Sequence, residues 1–167
     1  MKMFVLVLSA VLMTFALPGQ SLFGQSVEPD SRIKNLLDQT SLKYEVDSDG
    51  DFKLLYEYDD GRSHIVFVNS KTETYGGMEI REIWSVGYMT PDDGDSVSGK
   101  VSENLIRANS RAKLGAWQIQ KMDGKEVGVF RAMVPADAGQ DIILDTMKLV
   151  GITADEKESE LLNSDDL

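Results

Sequence analysis

Three of the chain's four Asp-Gly dipeptides cut it into short runs that alternate apolar and polar residues. "DSDGD" (Asp47–Asp51) separates Leu42, Tyr44 and Val46 from Phe52, Leu54 and Tyr56. "DDGR" (Asp59–Arg62) precedes His64–Val68, and "MDGK" (Met122–Lys125) divides Trp117–Gln120 from Val127–Phe130. A period of two places one set of side chains on each face of a sheet. Glycine supplies the positive φ that a tight reversal requires, so Asp-Gly between such runs predicts hairpins. Met78–Met89 reads as a further strand, entered through Gly76-Gly77. Antiparallel pairing therefore dominates whatever this chain folds into.

Three stretches keep a helical period instead. Ile33, Leu36 and Leu37 share one face behind a cap at Asp30 or Ser31. Val101, Leu105, Ala108 and Ala112 form a second stripe, with Gly115 placed for a C-terminal cap. Ile143, Met147, Val150 and Ala154 line a third helix entered through Pro135–Ala138. Gly151 weakens that helix by about 1 kcal/mol relative to alanine. The polar stretch Pro91–Gly99 links the two halves. The order is α-ββββ-α-ββ-α. The class is α+β, with a mainly antiparallel sheet packed by helices in one domain over residues 31–162. Residues 25–30 form a polar leader, and 163–167 a flexible, solvated tail.

Residues 1–24 have the anatomy of a secretory signal peptide. Lys2 precedes an uncharged apolar run, Phe4–Leu17, and small residues suited to cleavage follow. That run is shorter than the roughly 20 residues of a spanning helix. The alternative, an uncleaved N-terminal anchor, is the weaker reading. The chain has no cysteine, so it carries no bacterial lipoprotein anchor and its domain stands on packing without disulfides. The expectation is an exported bacterial protein, periplasmic or secreted, with no stable membrane anchor after cleavage. Its formal charge of −11 repels nucleic acid and anionic membranes and admits basic partners or cations.

Little catalytic chemistry is visible. An EF-hand counted from Asp47 needs Gly at its sixth position and Glu at its twelfth; the chain has Phe52 and Tyr58. "DSDGD" is thus read as a turn, with weak calcium binding left open. One histidine, His64, and no cysteine make a zinc constellation unexpected. His64 reads as an ordinary strand residue at a hairpin end. No nucleophile elbow or phosphate-binding glycine loop is present, and carboxylate pairs are expected in so acidic a chain. We therefore expect no enzyme, no metal and no cofactor. Among the strand aromatics, Tyr58, Trp84 and Tyr88 are the candidates for a docking surface, set against ordinary packing.

One segment resembles a known family. Asn104–Ser110, Leu114–Ile119 and Gly124–Pro135 follow the pattern of the YbjN domain. There a helix ends in an asparagine near a G-x-aromatic strand start, and the following hairpin closes on an apolar residue and proline. The matching positions are Asn109, Gly115, Trp117 and Val134-Pro135, with Ala154-Asp155 and Leu161 in the last helix. The resemblance implies a curved antiparallel sheet like that of type III secretion chaperones. It also implies a non-enzymatic, protein-binding or regulatory role, and it leaves room for a homodimer. Such chaperones are cytoplasmic, and the signal peptide departs from that pattern. Asn109 itself reads as structural, orienting the turn into Trp117. The leading expectation is an exported, chaperone-like or regulatory module that binds a protein or peptide client. The alternatives are a small-ligand binder with a pocket between sheet and helices, and a cryptic hydrolase built on His64.

Overall fold

The computed structural model describes residues 27–167. The signal-peptide reading, on residues 1–24, lies outside the described residues. The elements are α1 (Ser31–Leu37), β1 (Tyr44–Val46), β2 (Phe52–Glu57), β3 (Ser63–Val68), β4 (Glu73–Tyr75), β5 (Met78–Met89), α2 (Gly99–Asn109), β6 (Ala116–Met122), β7 (Lys125–Pro135) and α3 (Gln140–Leu162). Asp30 caps α1 by accepting from the amides of Arg32 and Ile33, and Ser98 caps α2 through the amide of Val101. All seven strands pair antiparallel in one open sheet, in the order β1-β2-β3-β5-β7-β6, with β4 a short hairpin partner of β5. No helix among the described residues is long and apolar enough to cross a membrane.

Three expectations are corrected. Five strands, not four, precede α2, because Glu73–Tyr75 folds back on β5; its residues are all exposed, so no alternation marks it. Gly115 does not cap α2, which ends at Asn109 with Ser110 as its cap. Gly115 has φ +85 and opens β6, where a Cβ would stand 2.6 Å from the Arg131 carbonyl oxygen. Close approach of two backbones, not helix termination, demands glycine there. Finally, the tail at 164–167, with Asp165 and Asp166 exposed, is tethered to α3. The amides of Asp166 and Leu167 donate to Glu158 Oε1 at 2.7 and 3.1 Å.

The core lies on one face of the sheet. Phe52, Leu54, Val66, Val68, Ile83, Trp117, Phe130, Ala132 and Val134 alternate inward along their strands, and residues of all three helices pack on them. α3 crosses the centre with Ile143, Met147, Val150 and Ala154 buried. The opposite face carries no helix among the described residues. At one end it holds a small second cluster, Val86, Val127 and Val129, against which Leu167 packs.

Candidate functional site

The three aromatics proposed from sequence do not share a surface. Trp84 stands on the helix-free face, stacked on Phe67 with ring centroids 4.2 Å apart, and its indole N–H donates to Asn69 Oδ1 at 2.7 Å. Tyr88 should follow it at the same period. Instead β5 carries a bulge at Gly87: Val86 pairs with Val129, yet Tyr88 pairs with Gly128. The extra residue turns Tyr88 to the helix side, where Gly128 abuts Leu105. Gly87 is required at the bulge because a Cβ would meet the Trp117 ring at 2.5 Å. Tyr58 also faces the helices, with its hydroxyl where a Cβ on Gly151 would stand, 2.9 Å away. Gly151, costly for helix propensity, thus makes room for that hydroxyl.

Around Trp84 the helix-free face is apolar in patches. Leu55 and Met133 are 41 % and 51 % exposed, and Ile65, Phe67 and Ile80 are half-buried. Two ion pairs cross it, Arg131 to Glu82 at 3.5 Å and, beside Leu55, Lys43 to Glu57 at 3.6 Å. Hollows open beside Leu55 and Ile65 and beside Ile80 and Met133. A one-sided antiparallel sheet ordinarily turns polar residues to water, so this face is unusual for a free surface.

The sheet has two outer edges, the three-residue β1 and the longer β6. On β6 one end is blocked. Alternate residues there point their amide and carbonyl groups away from β7. At Trp117 both groups are taken: its amide donates to Asn109 Oδ1 at 2.6 Å, and its carbonyl accepts from Asn109 Nδ2 at 3.3 Å. Asn109 thus holds the end of α2 against the start of β6 and blocks strand addition at that point. Pro135, with no N–H to offer, ends β7 opposite Ile80. A cleft of about 520 Å³ lies inside this edge, between α2 and α3. Trp117, Phe130 and Leu149 line it together with Arg111, Lys113 and Lys157.

"DSDGD" is a turn whose carboxylates serve the backbone. Asp47 Oδ1 accepts from the amides of Asp49 and Asp51, and Asp51 Oδ1 accepts from the amide of Ser70 at 2.6 Å. Next to it lies a contact that no sequence pattern signalled. Arg81 is fully buried, and its guanidinium reaches Asp30 Oδ2 at 2.6 Å and the Asn69 carbonyl at 2.5 Å. Burial alone would raise the Asp30 carboxyl, but hydrogen bonds from Arg32 and Arg81 outweigh it and hold the group far below its usual range.

A second polar cluster sits under α3. His64 is fully buried, with Nε2 2.8 Å from the Val86 carbonyl oxygen and Nδ1 3.4 Å from Glu158 Oε2. Arg62 Nε donates to Asp155 Oδ1 at 2.8 Å, and its Nη2 lies 3.6 Å from Glu158 Oε2. A hydrolase would need Nε2 to face a hydroxyl; here that nitrogen faces a main-chain carbonyl. His64 reads in the sequence as an ordinary strand residue, and nothing there joins it or Arg62 to Asp155 or Glu158. They are separated by more than ninety positions, and no spacing rule joins them. The chain matches no protein-family model, no curated protein and no solved structure.

Proposed function

We propose that this chain is an exported, non-catalytic module that takes a basic, apolar-rich polypeptide segment against the helix-free face of its sheet. The observation that carries the reading is the one-sided packing. α1, α2 and α3 all lie on one face, and the other presents Trp84, Phe67, Ile65, Leu55, Ile80 and Met133. The face is favoured over the β6 edge because Asn109 occupies the backbone groups of Trp117, and over the β1 edge because that strand is only three residues long. A basic client is favoured over a second copy because each copy brings a formal charge of −11. This is the kind of role that the YbjN resemblance and its chaperone-like sheet imply. Export rests on the apolar leader at the N-terminus alone.

A pull-down from envelope and culture-medium extract tests it, with retained chains identified by mass. The expected result is a basic polypeptide whose capture is lost in Trp84→Ser and Phe67→Ser and kept in Ile106→Ser. Ile106 is 68 % exposed on α2, away from this face. Capture indifferent to Trp84 and Phe67 would overturn the reading. So would a stable dimer that buries this face.

A second reading is supported by the cleft between α2 and α3. Its lining combines the apolar Trp117 and Leu149 with Arg111, Lys113 and Lys157 and with the carboxylates Glu156 and Glu160, which suits a small amphiphile whose anionic group meets Arg111 or Lys113, since Lys157 is already paired with Glu160. Binding of such a ligand, lost in Arg111→Ala with Trp84→Ser unaffected, would separate it from the first.

A further inference from the structure

The cluster under α3 is unbalanced in two ways. Its carboxylates are Asp155, Glu158 and Asp165, within 2.8, 3.6 and 3.7 Å of one guanidinium, Arg62. One guanidinium thus faces three carboxylates, of which Glu158 has no exposed surface while Asp165 reaches solvent. Its hydrogen bonds do not close either. His64 Nδ1 and Glu158 Oε2 are both buried and face each other at 3.4 Å, and neither makes a hydrogen bond; beyond each other, Oε2 has only the 3.6 Å contact to Arg62 Nη2. The Val86 carbonyl can only accept, so Nε2 carries a proton, and Nδ1 is the ring nitrogen free to offer a lone pair toward the carboxylate oxygen. Two lone pairs aimed at one point in a dry interior call for a cation between them.

We propose that His64 Nδ1, Asp155 and Glu158 Oε2 form a site for a divalent transition-metal ion, with Zn²⁺ the best fit. The three ligand atoms lie within 4.8 Å of one another. Arms of about 2.0–2.1 Å in a tetrahedron separate ligands by about 3.3 Å, close to the 3.4 Å between Nδ1 and Oε2. An imidazole ligand disfavours Mg²⁺ and Ca²⁺, which take oxygen donors. The surroundings are those a metal site uses. The ring's other nitrogen donates to a main-chain carbonyl, as ligating histidines do. Glu158 Oε1 accepts from Ser164 Oγ and the amides of Asp166 and Leu167, which leaves Oε2 for the ion. Arg62 orients Asp155. Three protein ligands leave a fourth position for water, and the buried Tyr58 hydroxyl, itself without a partner, stands on this side of α3.

Sequence gave no warning, because one histidine and no cysteine match no spaced zinc motif. That single histidine makes the test direct. Untagged full-length protein is stripped with chelator and titrated with Zn²⁺, while native mass spectrometry counts ions and nitrogen-15 NMR follows the imidazole. The expected result is one Zn²⁺ per chain with a large shift at His64 Nδ1 and little at Nε2. Co²⁺ should give visible absorption of tetrahedral intensity. Glu158→Gln should weaken binding at least about tenfold. If Zn²⁺ fails to bind, or binds with the His64 nitrogens unmoved, the proposal is wrong. The wild-type NMR decides this even where a variant does not fold.

Discussion

The two buried arginine clusters at opposite ends of the sheet are built from the same residue types and end in opposite states. At the α1 end, Arg81 meets Asp30, whose oxygens also accept from Arg32 and the first amides of α1. Arg32 goes on to Glu79, which Thr72 also contacts. Here the two arginines face two carboxylates. At the α3 end, one arginine serves three carboxylates, and three buried side-chain atoms, on Tyr58, His64 and Glu158, make no hydrogen bond, against one, Arg81 Nε, at the α1 end. A balanced buried pair acts as a clasp, because removing either member strands the other. An unbalanced one stores an unmet demand for charge, which is a property of sites. The contrast yields mutations that should differ in sign.

The largest effect is expected at the clasp. Asp30→Ala leaves the Arg81 guanidinium buried without its counter-ion and removes the α1 cap. It should cost about 3–5 kcal/mol, read as a fall in the urea midpoint. Adding Arg81→Met should recover part of that loss, because the stranded charge is gone. Failure of the second change to recover anything would mean that the cap dominates. The same clasp sets acid stability. Asp30 is held below its ordinary 3.8, and Glu79 is lowered to about 2 from 4.5, chiefly by its hydrogen bond to Arg32. A carboxylate with a depressed folded value contributes stability that is complete above its unfolded value and disappears as pH falls through the folded one. Unfolding free energy should therefore drop from about pH 5 downward, and the drop should be shallower in Asp30→Ala.

An intermediate effect is expected where Tyr58 meets α3. Gly151→Ala gains about 1 kcal/mol of helix propensity. Its Cβ, however, would sit 2.9 Å from the Tyr58 hydroxyl and 3.0 Å from Val66 Cγ2. Overpacking of this kind costs about 1–3 kcal/mol, so a net loss is expected. Pairing it with Tyr58→Phe should restore stability, because that removes the crowding oxygen and an unsatisfied hydroxyl together. No rescue would show that Val66, not Tyr58, sets the limit.

How far these clusters could be read from the chain depends on distance along it. Turns at Gly50, Gly61 and Gly124 were legible because the demand for positive φ is local, and all three have it. The helix stripes were legible because burial repeats every three to four residues. The bulge at Gly87 was not, because an extra residue breaks the period that locates Trp84 and Tyr88 on one face. Nor was β4, whose three exposed residues carry no period at all. Neither arginine cluster was legible. Asp30 meets Arg81 across 51 positions and Arg62 meets Asp155 across 93, and only the order of strands brings them together.

The smallest expected change in stability is the sharpest test of the contrast. Glu158→Gln, measured in chelator, removes the most deeply buried carboxylate of the cluster. The side-chain oxygen at the Oε1 position still accepts from Ser164, Asp166 and Leu167. The new amide nitrogen takes the Oε2 position, 3.4 Å from His64 Nδ1, and points a proton at the lone pair that had no donor. Arg62 loses only its 3.6 Å contact and keeps Asp155. One satisfied buried bond is worth about 0.5–1.5 kcal/mol, so the variant should be as stable as the parent or slightly more so. Loss of a buried carboxylate would then stabilise at one end of the sheet, while its counterpart at Asp30 unfolds the other. A loss of several kcal/mol in Glu158→Gln would instead make the α3 cluster a second clasp and remove the reason for a cation there.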